Sequence, residues 1–208
     1  MKYGREVIKR VIESKGYKYF ENGDFNLNII GIRNSATADQ VTNKFDDTIT
    51  LSYKDNGEWK YLEFDCTTDP GKFYMEDPIV DEKGTAVLKP GQYRGSHKLR
   101  LHQGKYLALG QCKPVTVYRD NNRDDIYNLN TENLDTGLFG INIHRATARP
   151  GKKSTQVDKW SAGCQVIADN DDWHTFLDIC QQAREVWGNS FSYTLIESKD
   201  TDKTKTWI

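Results

Sequence analysis

Residues 48–64 read T-I-T-L-S-Y-K-D-N-G-E-W-K-Y-L-E-F. Strict alternation over Thr48–Tyr53 puts Ile49, Leu51 and Tyr53 on one face of a strand. Asn56-Gly57 is the pair that best tolerates the positive φ angles of a primed two-residue turn. The segment therefore predicts a β-hairpin, with Trp59–Phe64 as its second strand. A lone hairpin is marginal in water, so its apolar face must be covered by further strands. The chain supplies them. Phe25–Arg33, Thr85–Leu88, Gln92–Arg94, Leu99–Leu109, Val115–Tyr118 and Phe191–Ile196 all carry strand patterns. Pro90-Gly91 and the polar run Asp120–Asp125 punctuate them. Helical spacing is confined to two places. Val7, Ile8, Val11 and Ile12 predict a helix over Tyr3–Lys15, ended by Gly16. Trp173, Phe176, Leu177, Cys180, Ala183 and Trp187 predict another over Trp173–Trp187, capped by Asp171-Asp172 and ended by Gly188-Asn189.

Many short strands with helices mainly at the ends predict an α+β fold, predominantly β, as a sandwich or partly closed barrel. Residues 34–44 and 72–84 read as loops. We expect residues 1–60 to form a helix-and-hairpin region packed on the main domain at 61–196, with a polar tail at 197–208. Aromatic residues make up 12% of the 208-residue chain, which is a folding composition. The formal net charge is −1, so no basic field favours nucleic acid. No run approaches the ~20 apolar residues of a membrane span. The start, M-K-Y-G-R-E-V-I-K-R-V-I-E, lacks the apolar core of a secretory signal. Oligomeric state is not legible.

Chemistry concentrates between Gly140 and Ala168. Ile141 and Ile143 read as one short strand, Val166 and Ile167 as another, and a polar loop with Pro150-Gly151 joins them. His144 then lies at one strand end and Cys164 at the start of the next, where the side chains can meet. An imidazole beside a thiol can take its proton, and the sulfur can attack a carbonyl carbon to form an acyl-enzyme. A catalytic Cys164 is expected to have a depressed pKa and to react faster than the other thiols. Ser161-Ala162-Gly163-Cys164 offers small residues whose backbone N–H groups can approach an oxyanion, and Gly163 permits a sharp turn. Of the four cysteines, Cys66, Cys112 and Cys180 read as small buried apolar residues. No C-x-x-C pair and no clustered histidines suggest a metal. His97 and His102 fall on opposite faces of one strand, and His174 reads as structural or exposed. Asp120, Asn122 and Asp124 space like the start of a calcium loop, but Asp125 and Thr131 stand where Gly and Glu are needed, so a solvated turn is expected.

His144, the spacer 145–160 and S-A-G-C at 161–164 together resemble the catalytic domain of the L,D-transpeptidases. That family's motif is a His, a spacer of about this length, then Ser/Thr-His-Gly-Cys, a hydrophobic residue and Asn or Arg. Upstream, Lys89-Pro90-Gly91-Gln92-Tyr93 is similar to the family's T-P-x-G-x-[FY] stretch. The resemblance runs over roughly Leu62–Ile196. Departures stand at Ala162 for the second His, at Gln165 for the hydrophobic residue and at Val166 for Asn or Arg. Arg145 also follows the base, where the family often has Gly or Ser.

The resemblance implies a β-sandwich-like catalytic domain with Cys164 as nucleophile and His144 as base, and with Ser161 and Gly163 shaping the nucleophile turn. It implies acylation by peptidoglycan stem peptides and transfer to water or an amine, with no cofactor and no metal. Arg145, Tyr93, His102 and Trp160 are expected on the substrate side, His102 either lining the cleft beside Tyr93 or serving in packing or at the surface. Without a signal sequence, a lytic, hydrolytic enzyme of phage-lysin type is expected: made in the cytoplasm and released through a holin pore, or carried in a virion. The lost residues at 162 and 166 keep a second expectation open, a non-catalytic wall-binding or virion structural module on the same fold. A cysteine amidohydrolase of another substrate class is the third.

Overall fold

The computed structural model describes residues 2–37, 39–77 and 82–202. It is an α+β, predominantly β fold. Strands β1 (Asn28–Arg33), β2 (Asp47–Asp55), β3 (Glu58–Thr67), β4 (Thr85–Leu88), β5 (Gly91–His102), β6 (Tyr106–Gln111), β7 (Val115–Asp120), β8 (Leu134–Gly137), β9 (Ile143–Arg145), β10 (Gln165–Ile167) and β11 (Phe191–Glu197) follow one another along the chain. Eight of them close a barrel in the order β1-β11-β5-β6-β9-β10-β3-β2, and β4-β7-β8 form a separate small sheet. The sandwich or partly closed barrel expected from sequence is thus a fully closed barrel. Closure comes from a parallel pairing of β1 with β11, Ile30 opposite Thr194, which joins segments far apart in the chain.

The predicted hairpin is β2–β3, with Lys54 opposite Trp59. Asn56 and Gly57 take φ of 52° and 79°, the two positive values a primed turn demands. Ile49, Leu51 and Tyr53 share the inner face and join the core. β1 is buried throughout because both of its faces are covered. Ile29 points into the barrel core. Ile30 and Ile32 point outwards, where helix α1 (Arg5–Ser14) seals them with Ile8, Val11 and Ile12. Helix α3 (Asn170–Trp187) inserts Trp173, Phe176, Cys180 and Ala183 into the main core.

Several local expectations are corrected. Residues 72–84 are not all loop, because Lys72–Glu76 forms a helical turn, α2. Gln92–Arg94 is the start of the longer β5, bent at Gly95, where φ is 58°. β8 was not foreseen, since L-D-T-G lacks an alternating pattern. The cap of α3 is Asp169, whose carboxylate accepts from the N–H groups of Asp171 and Asp172. These two follow the cap in the first turn, where acidic residues favour the positive helix end. The expected tail begins with a short helix, α4 (Ser198–Asp202), and the rest of it lies outside the described residues. Cys66 and Cys180 are buried as expected, whereas Cys112 is partly exposed, and all four cysteines are free. Among the described residues no helix is long and apolar enough to cross a membrane, and no group of three or more metal-binding side chains gathers.

Candidate active site

β9 and β10 are neighbours and run parallel, with His144 opposite Val166. Ile143 and Ile167 belong to the inner core, so alternation turns His144 to the outside of the barrel. Cys164 sits immediately before β10 and shares that outer parity. The Gln165 N–H donates to Asn142 O at 2.8 Å and fixes the offset of the two strands.

The S-A-G-C turn is closed on itself. Ser161 is fully buried, and its Oγ accepts from the Gly163 N–H at 3.1 Å while donating to Cys164 O at 2.7 Å. Ser161 O accepts from the Gly71 N–H at 2.8 Å, anchoring the turn beside α2. Gly163 takes φ 122°, and a Cβ there would stand 2.3 Å from Ala86 O on β4. No other residue fits, and the small sheet thereby buttresses the turn. One expectation changes here. The Gly163 N–H is spent on Ser161, so the oxyanion donor left on this turn is the Cys164 N–H, which makes no hydrogen bond among the described residues.

Cys164 opens into a cavity of about 340 Å³ that is also lined by Arg100, His102, Gly110, Gly140 and Asn142. Its thiol donates to Gly140 O at 3.2 Å. The sulfur is partly exposed towards the cavity but crowded elsewhere. Burial pushes the thiol up to about 11, only partly offset by the Asn142 N–H facing it. Burial and the proton donated to Gly140 O both favour the neutral thiol, against the depressed pKa expected from sequence.

His144 is 4% exposed, and burial lowers its pKa to about 4. Its Nδ1 lies 2.8 Å from Arg145 O. A carbonyl only accepts, so Nδ1 carries the proton and Nε2 keeps its lone pair. Nε2 has no partner among the described residues. Neither does any hydrogen bond join His144 to Cys164 in this resting arrangement. Tyr106 Oη lies 3.4 Å from the same Nδ1. The Arg145 guanidinium sits over the Tyr106 ring at 4.2 Å.

His102 stacks on His144, with ring centroids 4.4 Å apart. Its protonation is set through Asn142. The Gln111 N–H donates to Asn142 Oδ1 at 2.9 Å, which turns the Asn142 Nδ2 donor towards His102 Nδ1 at 3.3 Å. His102 accordingly carries its proton on Nε2. Burial, Arg100 and Lys105 all lower its pKa, so the ring stays neutral. His97, by contrast, has both nitrogens occupied, by Ser96 Oγ at 2.8 Å and Ile141 O at 2.8 Å.

Among the residues expected on the substrate side, His102 lies in the cavity and Arg145 flanks the base. Tyr93 does not join them. Its hydroxyl donates to Lys89 O at 2.5 Å, and it sits nine residues before His102 at the other end of β5, beyond the bend at Gly95, and does not line the cavity. The expected pairing of His102 with Tyr93 in one cleft is therefore corrected. Trp160 is 44% exposed on the loop before Ser161 and does not line the cavity. Sequence reasoning missed Asn142, Tyr106 and Arg100. Asn142 had a signal, since I-N-I-H puts it on the face of His144. Arg100, which makes no ion pair among the described residues, lies flat across Gly110, where a Cβ would meet its Nε at 1.9 Å.

No family model, no curated protein and no solved structure matches this chain.

Proposed function

We propose that this chain is a cysteine-dependent acyl-transfer enzyme of L,D-transpeptidase type that acts on peptidoglycan stem peptides and releases the acyl group to water. The observation that carries the chemistry is the state of His144: Nδ1 held by a carbonyl, Nε2 open, and the ring neutral on the strand beside Cys164. The substrate class rests on the resemblance of His144…S-A-G-C to that family. On binding, the thiol leaves Gly140 O and passes its proton to His144 Nε2 as sulfur bonds to the scissile carbonyl carbon. The Cys164 N–H and neutral His102 Nε2–H are the donors for the oxyanion. Collapse of the intermediate expels the amine, which takes the proton from His144. Water activated by the same nitrogen then cleaves the thioester. Since both partners rest neutral, the proton moves during attack rather than before it. No cofactor enters this scheme.

Incubation with whole peptidoglycan sacculi tests it. Wild type should release new muropeptides, read by mass spectrometry, and Cys164→Ser should release none. Identical profiles would sink the enzyme reading. The second reading, a wall-binding or virion structural module, is favoured by one observation, the thiol bonded to Gly140 O instead of His144. It expects co-sedimentation with sacculi, unchanged by Cys164→Ser.

A further inference from the structure

The S-A-G-C turn lies on the outer side of the barrel wall, yet one of its carbonyls is held from inside. Gln165 is completely buried. Its Oε1 accepts from Tyr193 Oη at 2.7 Å, and its Nε2 donates to Gly163 O at 3.2 Å and to Thr68 O at 3.4 Å. An apolar side chain of the same volume would fill this space without the cost of burying an amide. The position therefore asks what the amide does.

Gly163 C=O and Cys164 N–H belong to one peptide unit. That unit is trans, so the two groups point in opposite directions. Holding the carbonyl inwards aims the N–H outwards, to the side of the wall where the thiol and the cavity lie. Ser161 Oγ pins the peptide units on either side, through Gly163 N–H and Cys164 C=O. Gln165 is the only one of these anchors that grips the unit carrying the free N–H.

We propose that Gln165 is a positioning residue that aims the Cys164 N–H at the oxyanion, and that Tyr193 in turn orients Gln165. This rests on the reading of Cys164 as the acylated nucleophile. The chain of contacts reaches the far side of the barrel. Gly31 on β1 leaves room for the Tyr193 hydroxyl, and a Cβ there would stand 1.9 Å from it. The backbone of Gly31 carries no positive φ, so Gly31→Ala acts on Tyr193 through bulk alone.

Two reactions of one thiol separate positioning from mere stability. Acylation by p-nitrophenyl acetate develops an oxyanion, whereas alkylation by iodoacetamide does not. Both rates are measured at Cys164 by peptide mapping, in the full chain. Gln165→Met should lower the acylation rate about 10- to 100-fold, less than the roughly 10²–10³-fold of an oxyanion donor removed outright because the N–H is misaimed rather than lost, with alkylation changed less than about threefold. Tyr193→Phe and Gly31→Ala should shift the same ratio in the same direction by smaller factors, and they carry the test if Gln165→Met does not fold. An acylation-to-alkylation ratio at the wild-type value in all folded variants overturns the positioning role and leaves the acyl-transfer reading standing. A wild type that is alkylated but never acylated at Cys164 overturns the acyl-transfer reading itself, and the positioning role with it.

Discussion

The outer face of the barrel is finished in two ways. Over β1 and β11, helix α1 lays Ile8, Val11 and Ile12 on Ile30, Ile32 and Ile196, and the surface is sealed. Over β5, β6 and β9 the outward side chains are polar: His102 and Asn142 line the cavity that reaches Cys164, and His144 and Tyr106 lie beside them. The same alternation builds both walls. What differs is the outward residue type, apolar where a helix covers it and hydrogen-bonding around the cavity. The inside of the barrel shows a matching asymmetry. Arg33 pairs with Asp69 at 2.7 Å and donates to Thr68 O, while Asp47 accepts from the N–H and hydroxyl of Thr68. This buried polar cluster meets Gln165 through Thr68 O and so lies directly behind the nucleophile turn.

The sharpest break in the comparison is expected on the open side. Cys164→Ser or His144→Ala should each reduce muropeptide release by at least about 10³-fold with the circular dichroism spectrum unchanged. Retained turnover in either variant would mean that another pair does the chemistry. In the main core, which neither wall exposes, a substitution should cost stability instead. Trp173, fully buried, should lose about 3–5 kcal/mol on replacement by alanine, measured by urea unfolding. Trp187, half exposed at the far end of the same helix with its indole N–H donating to Asp24 O at 2.8 Å, should lose less, about 1–2 kcal/mol. Equal losses would contradict this placement of α3.

pH sharpens the contrast further. Burial lowers both His97 and His144 to about 4 from an ordinary 6.5. Their contribution to stability is full above pH 6.5 and lost as pH falls through about 4. Asp47 goes the other way. Burial and the neighbouring Asp69 raise it to about 7 from 3.8, so its contribution is full below 3.8 and lost as pH rises through about 7. The two effects oppose each other between pH 4 and 6.5. Asp47→Asn should therefore make the stability gain across that window steeper than in wild type, read from urea midpoints at several pH values. An unchanged slope would show that Asp47 does not titrate there. The smallest effect is expected at Arg145→Lys, which trades a planar guanidinium over Tyr106 for a point charge. It should cost about 0.5 kcal/mol, visible as a small shift in the urea midpoint.

The sequence by itself determined the hairpin, because Asn56-Gly57 between alternating runs admits one local geometry. It determined both main helices, whose apolar stripes and end signals agree. It also determined that His144 and Cys164 flank one loop, and that Gly163 must be glycine if the turn is sharp. These are short-range matters, set by backbone sterics and side-chain period. Tertiary structure alone decided that the barrel closes, since the β1–β11 pairing depends on covering both faces of N-I-I-G-I-R at once. It alone brought His102 onto His144 from another strand, sent Tyr93 to the opposite end of β5, and raised the Cys164 thiol where a lowered one was expected. The physical reason is common to all of these: burial and hydrogen-bond partners are set by residues distant in the chain, and they decide a side chain's charge state and aim. Gln165 makes the point most directly. In the sequence it is a polar residue where an apolar one is usual; in the fold its amide reaches Tyr193, Thr68 and Gly163 at once.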